Sequence, residues 1–201
     1  KEGVPYAVHI KFGDFFNLIS DEMKTISPDL LVVGTHGFKG IKKNFESSNI
    51  LNLLRKIDVP SLVIQGHASP PYHGYKSILV PLIDSNEVIN WNQILGSFAQ
   101  VFQSEVKLLA YYNSSNKEKV ASKSNQISKL LSETQGIKCV IDLEETSLYT
   151  AAYSRSIIEY SDIEDSDAIV LFLGNREEDY FSIEDQENIL LNRLGKPILV
   201  F

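Results

Sequence analysis

The sequence predicts an α/β protein in which a doubly wound, mostly parallel five-stranded sheet follows the C-terminal part of another such unit. Short apolar runs alternate with longer amphipathic segments along the chain, which is the pattern of strands connected by helical crossovers. The runs at residues 30–33 and 168–172 are continuously apolar, as in parallel strands buried on both faces.

The first 66 residues predict three strands and two helices. The strands are expected at residues 4–10, 30–33 and 61–64, and the helices at 14–26 and 48–57. Residues 67–76 are rich in proline and glycine and form the expected linker, in which His67 and His73 are solvated side chains rather than metal ligands. The chain begins at Lys1 without a methionine, and we expect its natural N-terminus to lie upstream.

The remaining residues, 77–201, predict a complete unit of five strands and four helices. The strands are expected at residues 77–83, 106–111, 137–143, 168–173 and 197–201, and the helices at 87–103, 117–134, 148–160 and 183–194. Strict alternation of this kind favours right-handed crossovers and helices on both faces of the sheet.

An internal repeat relates the two parts of the chain. Residues 29–34 (DLLVVG) align with residues 167–174 (DAIVLFLG), and residues 49–64 align with the segment from 188 to the end of the chain. The first part therefore matches only the closing portion of the second. We expect a first domain at residues 1–66 that lacks its opening strands, and a complete domain at 77–201.

Composition excludes several classes of protein. The 201 residues are 43% hydrophobic and carry a net charge of −7, so a general nucleic-acid partner is not expected. Residues 1–70 hold 8 basic and 7 acidic side chains, and the rest hold 11 and 19. No run approaches the ~20 apolar residues of a membrane span, and a cytoplasmic location is expected. Cys139 is the only cysteine, and its apolar neighbours favour a buried thiol.

The segment from Gly34 to Ser48 has the chemistry of a phosphate-binding loop. Glycines between a strand and a helix let backbone N–H groups approach phosphate oxygens, and Ser48 can cap the helix and donate its hydroxyl. Lys39, with Lys42 and Lys43, adds positive potential. Alternatively, the glycines only shape a tight turn and the lysines are a solvated face. His36 is expected to position backbone or phosphate, and with no catalytic constellation in the sequence we expect no enzyme activity.

The loop resembles the signature of the universal stress protein family: glycine, two residues, glycine, nine residues, then glycine and serine or threonine. Gly34, Gly37 and Ser48 match it, whereas Ser47 stands at the third glycine. Residues 77–85 also resemble the family's first strand and acidic turn. The resemblance implies a Rossmann-like, adenine nucleotide alpha-hydrolase-like fold in tandem form with a truncated first repeat. It also implies an ATP or AMP site, formed by Gly34, His36, Gly37, Lys39, Gly40, Ser47 and Ser48.

Two features weaken the implied site. A serine forced into a left-handed conformation costs roughly 1–2 kcal/mol, or about tenfold in affinity if the strain appears on binding. In the family, the loops that hold adenine and ribose follow strands that this chain lacks, so we expect weak or no nucleotide binding. In the second unit, residues 175–187 hold six acids and one arginine in place of a phosphate loop. Asp84 and Ser85 are then expected to form only a helix-capping turn.

Two functions remain open at this point. One is a nucleotide-binding stress regulator whose first repeat carries the site. The other is a degenerate tandem scaffold that acts through protein contacts. The closing strands, residues 62–64 and 199–201, resemble those through which the family's domains pair, so we expect a homodimer or internal tandem pairing through them.

Overall fold

The computed structural model describes residues 3–34, 47–57, 59–65, 71, 73–83, 91–146, 153–173 and 181–201. The described residues of the first part form two helices and two strands, which are α1 (Phe15–Ile26), β1 (Leu31–Gly34), α2 (Ser47–Leu54) and β2 (Ser61–Ile64).

Among its described residues, the second part contributes five strands and four helices. Its strands are β3 (Ser77–Leu82), β4 (Glu105–Tyr112), β5 (Cys139–Glu145), β6 (Ala168–Leu171) and β7 (Ile198–Val200). Its helices are α3 (Asn92–Phe102), α4 (Lys117–Lys129), α5 (Tyr153–Ile163) and α6 (Ile183–Leu190), and a π-helical turn (Leu130–Thr134) extends α4.

In the part of the chain that the structure describes, seven strands form one sheet in the order β1-β2-β7-β6-β3-β4-β5. Every pair is parallel except β2–β7, which is antiparallel. The predicted doubly wound α/β class is confirmed, and the five strands of the second unit lie together as β7-β6-β3-β4-β5. The sheet has seven strands because β1 and β2 extend it beyond β7.

The β2–β7 pair joins the two parts about a local two-fold axis. Leu62 of β2 faces Leu199 of β7, and these two residues occupy equivalent positions in the internal repeat. The internal form of the predicted pairing between last strands is therefore present. Both edges of β2 and β7 are occupied in the sheet, by β1 and β6 as well as by each other.

Helices cover the sheet on two sides, as the continuously apolar strands require. Ile78 and Val80 of β3 pack in the cluster that contains Leu95 of α3 and Leu131 of the π-helical turn. The intervening Leu79 packs in the other cluster, which contains residues of α2, α5 and α6. Fully burying one such side chain contributes about 1.5–3 kcal/mol.

Helix ends follow local chemistry. Asp14 caps α1 by accepting a hydrogen bond from the Asn17 backbone N–H, and Ser27 closes the helix in a left-handed conformation.

Gly96 allows a close approach in the middle of α3. A Cβ on this residue would lie 1.2 Å from Oε1 of the Gln135 side chain. Glycine at this position therefore lets the segment after α4 approach α3.

The strand predicted at residues 4–10 is wrong. Residues 3–12 have no regular secondary structure and are exposed throughout. Their alternating apolar pattern is that of a strand, but a strand needs a hydrogen-bonding neighbour, and no described strand of the sheet pairs with this segment. The alternation of apolar and polar residues in this segment is therefore not sufficient to form a strand.

Other expectations differ in detail or lie beyond the described residues. The predicted buried thiol is only half-buried, because Cys139 begins β5 at an edge of the sheet, and burial raises its pKa. Most of the predicted linker lies outside the described residues, as do Asp84 and Ser85. Among the helices that are described, none has the length and apolar character needed to cross a membrane.

Truncating Leu62 tests the joint between the two parts. Leu62→Ala should lower the free energy of unfolding by about 2–5 kcal/mol, because it leaves a cavity beside Leu199. Val32→Ala on neighbouring β1 is the control and should cost far less, because Val32 is exposed. Urea unfolding measures both, and equal losses would contradict a buried joint at β2.

Candidate functional site

The candidate site lies where β1 ends and α2 begins. Gly34 is the last residue of β1, and Ser47 is the first residue of α2. His36, Gly37, Lys39 and Gly40 lie outside the described residues, as do the side chains of Ser47 and Ser48. The structure thus brings the two ends of the predicted loop to a strand–helix junction, and the arrangement of the loop itself stays a prediction.

Gly34 has open space around it. A Cβ built on this residue would meet no described atom within 4 Å, so the described part of the chain does not crowd this backbone. Glycine is therefore not required here by packing against described neighbours. This openness is consistent with a backbone that a ligand can approach.

The first turn of α2 carries no acidic residue, so within the helix the partial positive charge of its N-terminus is not compensated. Glu46 immediately precedes the helix and lies outside the described residues. Ser47 has helical backbone and is not in the left-handed conformation that a glycine would favour. The strain predicted for Ser47 therefore does not arise in this arrangement.

The start of α6, the repeat counterpart of α2, is built differently. Ser182 caps α6 by accepting from the Asp185 backbone N–H, and Glu184 and Asp185 stand in the first turn. Asp185 is only 3% exposed, and its carboxylate accepts hydrogen bonds from the Ser154 backbone N–H at 2.9 Å and from the Ser182 hydroxyl at 2.8 Å. The carboxylate of Asp185 therefore accepts hydrogen bonds at the starts of both α5 and α6. Its negative charge would repel a phosphate placed there.

Aromatic side chains fill the described space near the carboxyl ends of the second unit's strands. Doubly wound sheets bind ligands there, where the strand order reverses, which in this sheet is between β3 and β6. On one face Trp91 and Phe172 have ring centroids 4.7 Å apart, and both are buried. On the other face Tyr153 contacts Tyr111 and Phe181, with centroids 5.0 and 5.8 Å away.

Hydrogen bonds fix the helix of the candidate site to the second unit. Arg55, which follows α2, donates through Nη2 to Oε1 of Gln186 on α6 at 2.7 Å. Gln186 in turn donates to the Phe181 carbonyl at 2.8 Å. Gln65, which follows β2, donates to the carbonyls of Leu190 and Asn192. These buried amides were missed from the sequence, because no local pattern distinguishes them from solvated polar residues.

A polar groove of about 350 Å³ lies outside the candidate site, between β5 and α5, and it was not predicted. Its lining residues are Glu144, Arg155, Ser156, Glu159, Tyr160 and Ile163. Tyr111 donates to the Ser156 hydroxyl at 2.9 Å, and Ser156 donates to Glu144 at 3.2 Å. Burial raises the pKa of Tyr111 and of Tyr160, and Tyr160 also donates to Asp142.

The groove is lined by a hydrogen-bonded network, and none of its lining residues is a histidine or a cysteine. Ser156 accepts a hydrogen bond from the Tyr111 phenol and donates one to the Glu144 carboxylate, and the raised pKa of Tyr111 keeps that phenol protonated at neutral pH. Among the residues that the structure describes, no group of histidine, cysteine and carboxylate side chains could hold a metal ion.

Comparison with known proteins identifies the fold. No family model matches the sequence, and no curated protein matches it. A universal stress protein from Archaeoglobus fulgidus matches 92% of this chain with a TM-score of 0.58 at 11% identity. A protein of unknown function from Pseudomonas aeruginosa matches 94% with a TM-score of 0.59 at 13% identity, covering 68% of that protein. Another from the same species, provisionally described as a universal stress protein, matches 94% at 14% identity, also with a TM-score of 0.59, and 69% of it is covered.

The class defined by these observations is an α/β sheet protein with the universal stress protein fold, as the resemblance in the sequence implied. The chain spans 64% of the length of the Archaeoglobus protein. At these identities the likeness concerns the fold, and the chemistry of the site has to be argued from the residues of this chain.

Replacing Tyr111 tests the network beside the groove. At neutral pH Tyr111→Phe should lower the free energy of unfolding by about 0.5–1.5 kcal/mol, because the bond to Ser156 is lost. Since its pKa is raised in the folded protein, the unfolded chain releases the phenol proton first as pH rises above about 10, and the native protein loses stability there. The variant should lose less over that range. Urea unfolding at neutral and alkaline pH, with Tyr112→Phe as control, measures both effects, and an unchanged alkaline slope would contradict a buried Tyr111 hydroxyl.

Proposed function

We propose that this chain is a cytoplasmic, universal stress protein-like regulatory protein whose first unit retains the phosphate half of an ATP or AMP site between Gly34 and Ser48. The observation that carries the proposal is the junction of β1 and α2, where an exposed Gly34 precedes a helix whose first turn holds no acid. At the start of α6 an internal carboxylate, Asp185, accepts hydrogen bonds instead. An anion is favoured at the first position and opposed at the second.

In this proposal each residue of the loop has a separate role in binding a phosphate. Backbone N–H groups of Gly34, Gly37 and Gly40 approach the oxygens, because glycine carries no side chain to block them. Lys39 supplies positive charge, and His36 positions the loop or the phosphate. Ser48 donates its hydroxyl at the helix start.

We propose weak binding because the part of the site that would hold adenine and ribose is not formed by the described residues. Adenine and ribose need further walls, and β1 has a described neighbour on one side only, namely β2. A fragment of a site that contacts phosphate alone gives up the affinity that base and sugar contacts provide. Tight binding would require that another chain or segment completes the pocket.

The protein acts in this proposal by binding rather than by catalysis. The division into domains at 1–66, 67–76 and 77–201 is part of the same proposal, with the β2–β7 pair as the contact between the domains.

A second candidate is a scaffold that does not bind nucleotide and acts through protein contacts. It is favoured by the second unit, where Trp91 and Phe172 occupy the described part of the crevice in which doubly wound sheets bind ligands. Under this proposal both units serve to present surfaces, and the glycines only shape the turn after β1.

Thermal unfolding with added ATP or AMP separates the two candidates. A site of millimolar affinity or better raises the unfolding midpoint at saturating ligand, because ligand that binds only the folded state stabilises it. The nucleotide proposal predicts this shift for the whole chain. If no shift appears at any ligand concentration, the nucleotide proposal is wrong and the scaffold remains as the candidate.

Three substitutions locate the binding. Ser48→Ala should reduce affinity, and Ser47→Gly should raise it by up to about tenfold if binding requires a left-handed conformation there. Ser182→Ala is the matched control, because Ser182 caps the equivalent helix of the second unit and should affect stability but not affinity. Calorimetric titration measures the three affinities, and an effect of Ser182→Ala equal to that of Ser48→Ala would place the ligand elsewhere.

A further inference from the structure

β5 lies at the end of the sheet opposite β1, and among the described strands only β4 is beside it. Thr146, directly after β5, donates to the Tyr112 carbonyl of β4. Because a parallel ladder uses alternate residues of each strand, the even-numbered residues of β5 bond to β4, and the backbone groups of Ile141 and Leu143 point away from it. This edge belongs to the second unit, whereas the internal repeat places segments that precede β1 at the other end of the sheet.

One row of side chains along β5 is apolar. Cys139 and Ile141 pack against the apolar cluster that contains residues of α3 and α4. Leu143 continues this row, two residues further along the strand, and is 40% exposed. A strand that paired with this edge would therefore place alternate side chains beside an incompletely covered apolar row.

The other row is acidic and faces α5. Asp142 accepts a hydrogen bond from the Tyr160 hydroxyl, and Glu144 accepts one from Ser156. Glu144 also lines the groove between β5 and α5, where Glu159 adds another carboxylate. Burial raises the pKa of Tyr160, and the charges of the neighbouring carboxylates raise it further. This side of β5 therefore has a negative potential.

Little positive charge offsets these carboxylates. Of the residues that line the groove only Arg155 is basic, and its Nε donates to Glu159 at 3.1 Å. β5 itself contains no basic residue. The chain after residue 70 carries 19 acidic and 11 basic side chains, and the β5 edge holds part of that excess. A ligand of positive charge is therefore favoured here.

We propose that the β5 edge binds an extended, basic segment of another protein, which adds to the sheet as a strand. Its lysine or arginine side chains lie beside Asp142 and Glu144, and the apolar side chains that alternate with them lie beside Ile141 and Leu143. Opposite charges on neighbouring strands stabilise the pair, and the outward backbone groups of β5 supply the hydrogen bonds. This binding is independent of the nucleotide site, which lies at the other end of the sheet.

A second copy of this chain does not fit the same edge. If β5 paired with β5 of another copy, Asp142, Glu144 and Glu145 would approach the carboxylates of the partner strand. Like charges on neighbouring strands are destabilising, and charged residues commonly protect an edge from pairing with its own kind. A nucleic acid or an anionic membrane meets the same repulsion. The charge of the edge thus selects a basic partner.

A short, capped peptide of alternating lysine and valine is the probe for this edge. It should bind the 201-residue chain at low salt, and its affinity should fall as salt is added, because charge pairs contribute to the contact. A control peptide has the same composition with its lysines grouped at one end, so it cannot present them on one face of a strand. It should bind about tenfold more weakly in calorimetric titration. Equal affinities would show attraction to net charge alone and would overturn the proposal.

Neutral substitutions locate the binding. Asp142→Asn/Glu144→Gln should weaken the alternating peptide about tenfold, because both charge pairs are lost while the amide oxygens still accept the hydrogen bonds from α5. Asp21→Asn/Glu118→Gln is the matched control, since it makes the same two changes at exposed residues of α1 and α4. The control should keep the affinity of the unsubstituted chain. An equal loss in both variants would place the peptide on another surface.

Hydrogen exchange tests whether the peptide adds as a strand. Bound peptide should protect the amides of Ile141 and Leu143, whereas those of Asp142 and Glu144, already bonded to β4, should change little. Binding without this protection would contradict strand addition. A chain that protects both outward amides before the peptide is added has its edge covered by its own residues or by a second copy, and that result would also overturn the proposal. So would a failure of the alternating peptide to bind at low salt.

Discussion

The antiparallel β2–β7 pair is the contact on which the rest of the structure depends. It turns two parallel arrangements into one seven-stranded sheet and places equivalent residues, Leu62 and Leu199, opposite each other. Without this pair, β1 and β2 would form a two-stranded sheet too small to be stable alone. Because α2 packs over this joint in the same apolar cluster as α6, the junction of β1 and α2 has a fixed position relative to the second unit.

The two units differ in the side chains that lie at the starts of α2 and α6. The first turn of α2 holds no acid, whereas the second unit places the carboxylate of Asp185 at the start of α6 and aromatic rings nearby. The second unit thereby gains packing and satisfied hydrogen bonds. Donor groups that already bond to Asp185 cannot also bond to a ligand. At this position the second unit therefore gains stability and gives up the donors that a ligand would need.

Much of the fold could be predicted from the sequence, because buried parallel strands are continuously apolar and the repeat relates residues 30–33 to 168–172. The absence of a strand at residues 4–10 could not be predicted. The alternation of apolar residues is visible in the local sequence, whereas the strand that would pair with it lies elsewhere in the chain. For the site, the sequence predicts a strand that ends at residue 33 and a helix that starts at residue 48, and the structure ends β1 at Gly34 and starts α2 at Ser47. The loop between them stays a prediction. Asp185 and Gln65 were missed because burial of a polar residue depends on partners distant in sequence.

Hydrogen exchange of the amides of β2 and β7 tests the joint most directly. If the pair holds the two parts together, the amides of Leu62 and Leu199 should exchange at similar rates and rank among the slowest in the protein, since both open only with the whole sheet. Fast exchange in β2 with full protection in β7 would show that the first part opens independently, and would contradict a single seven-stranded sheet.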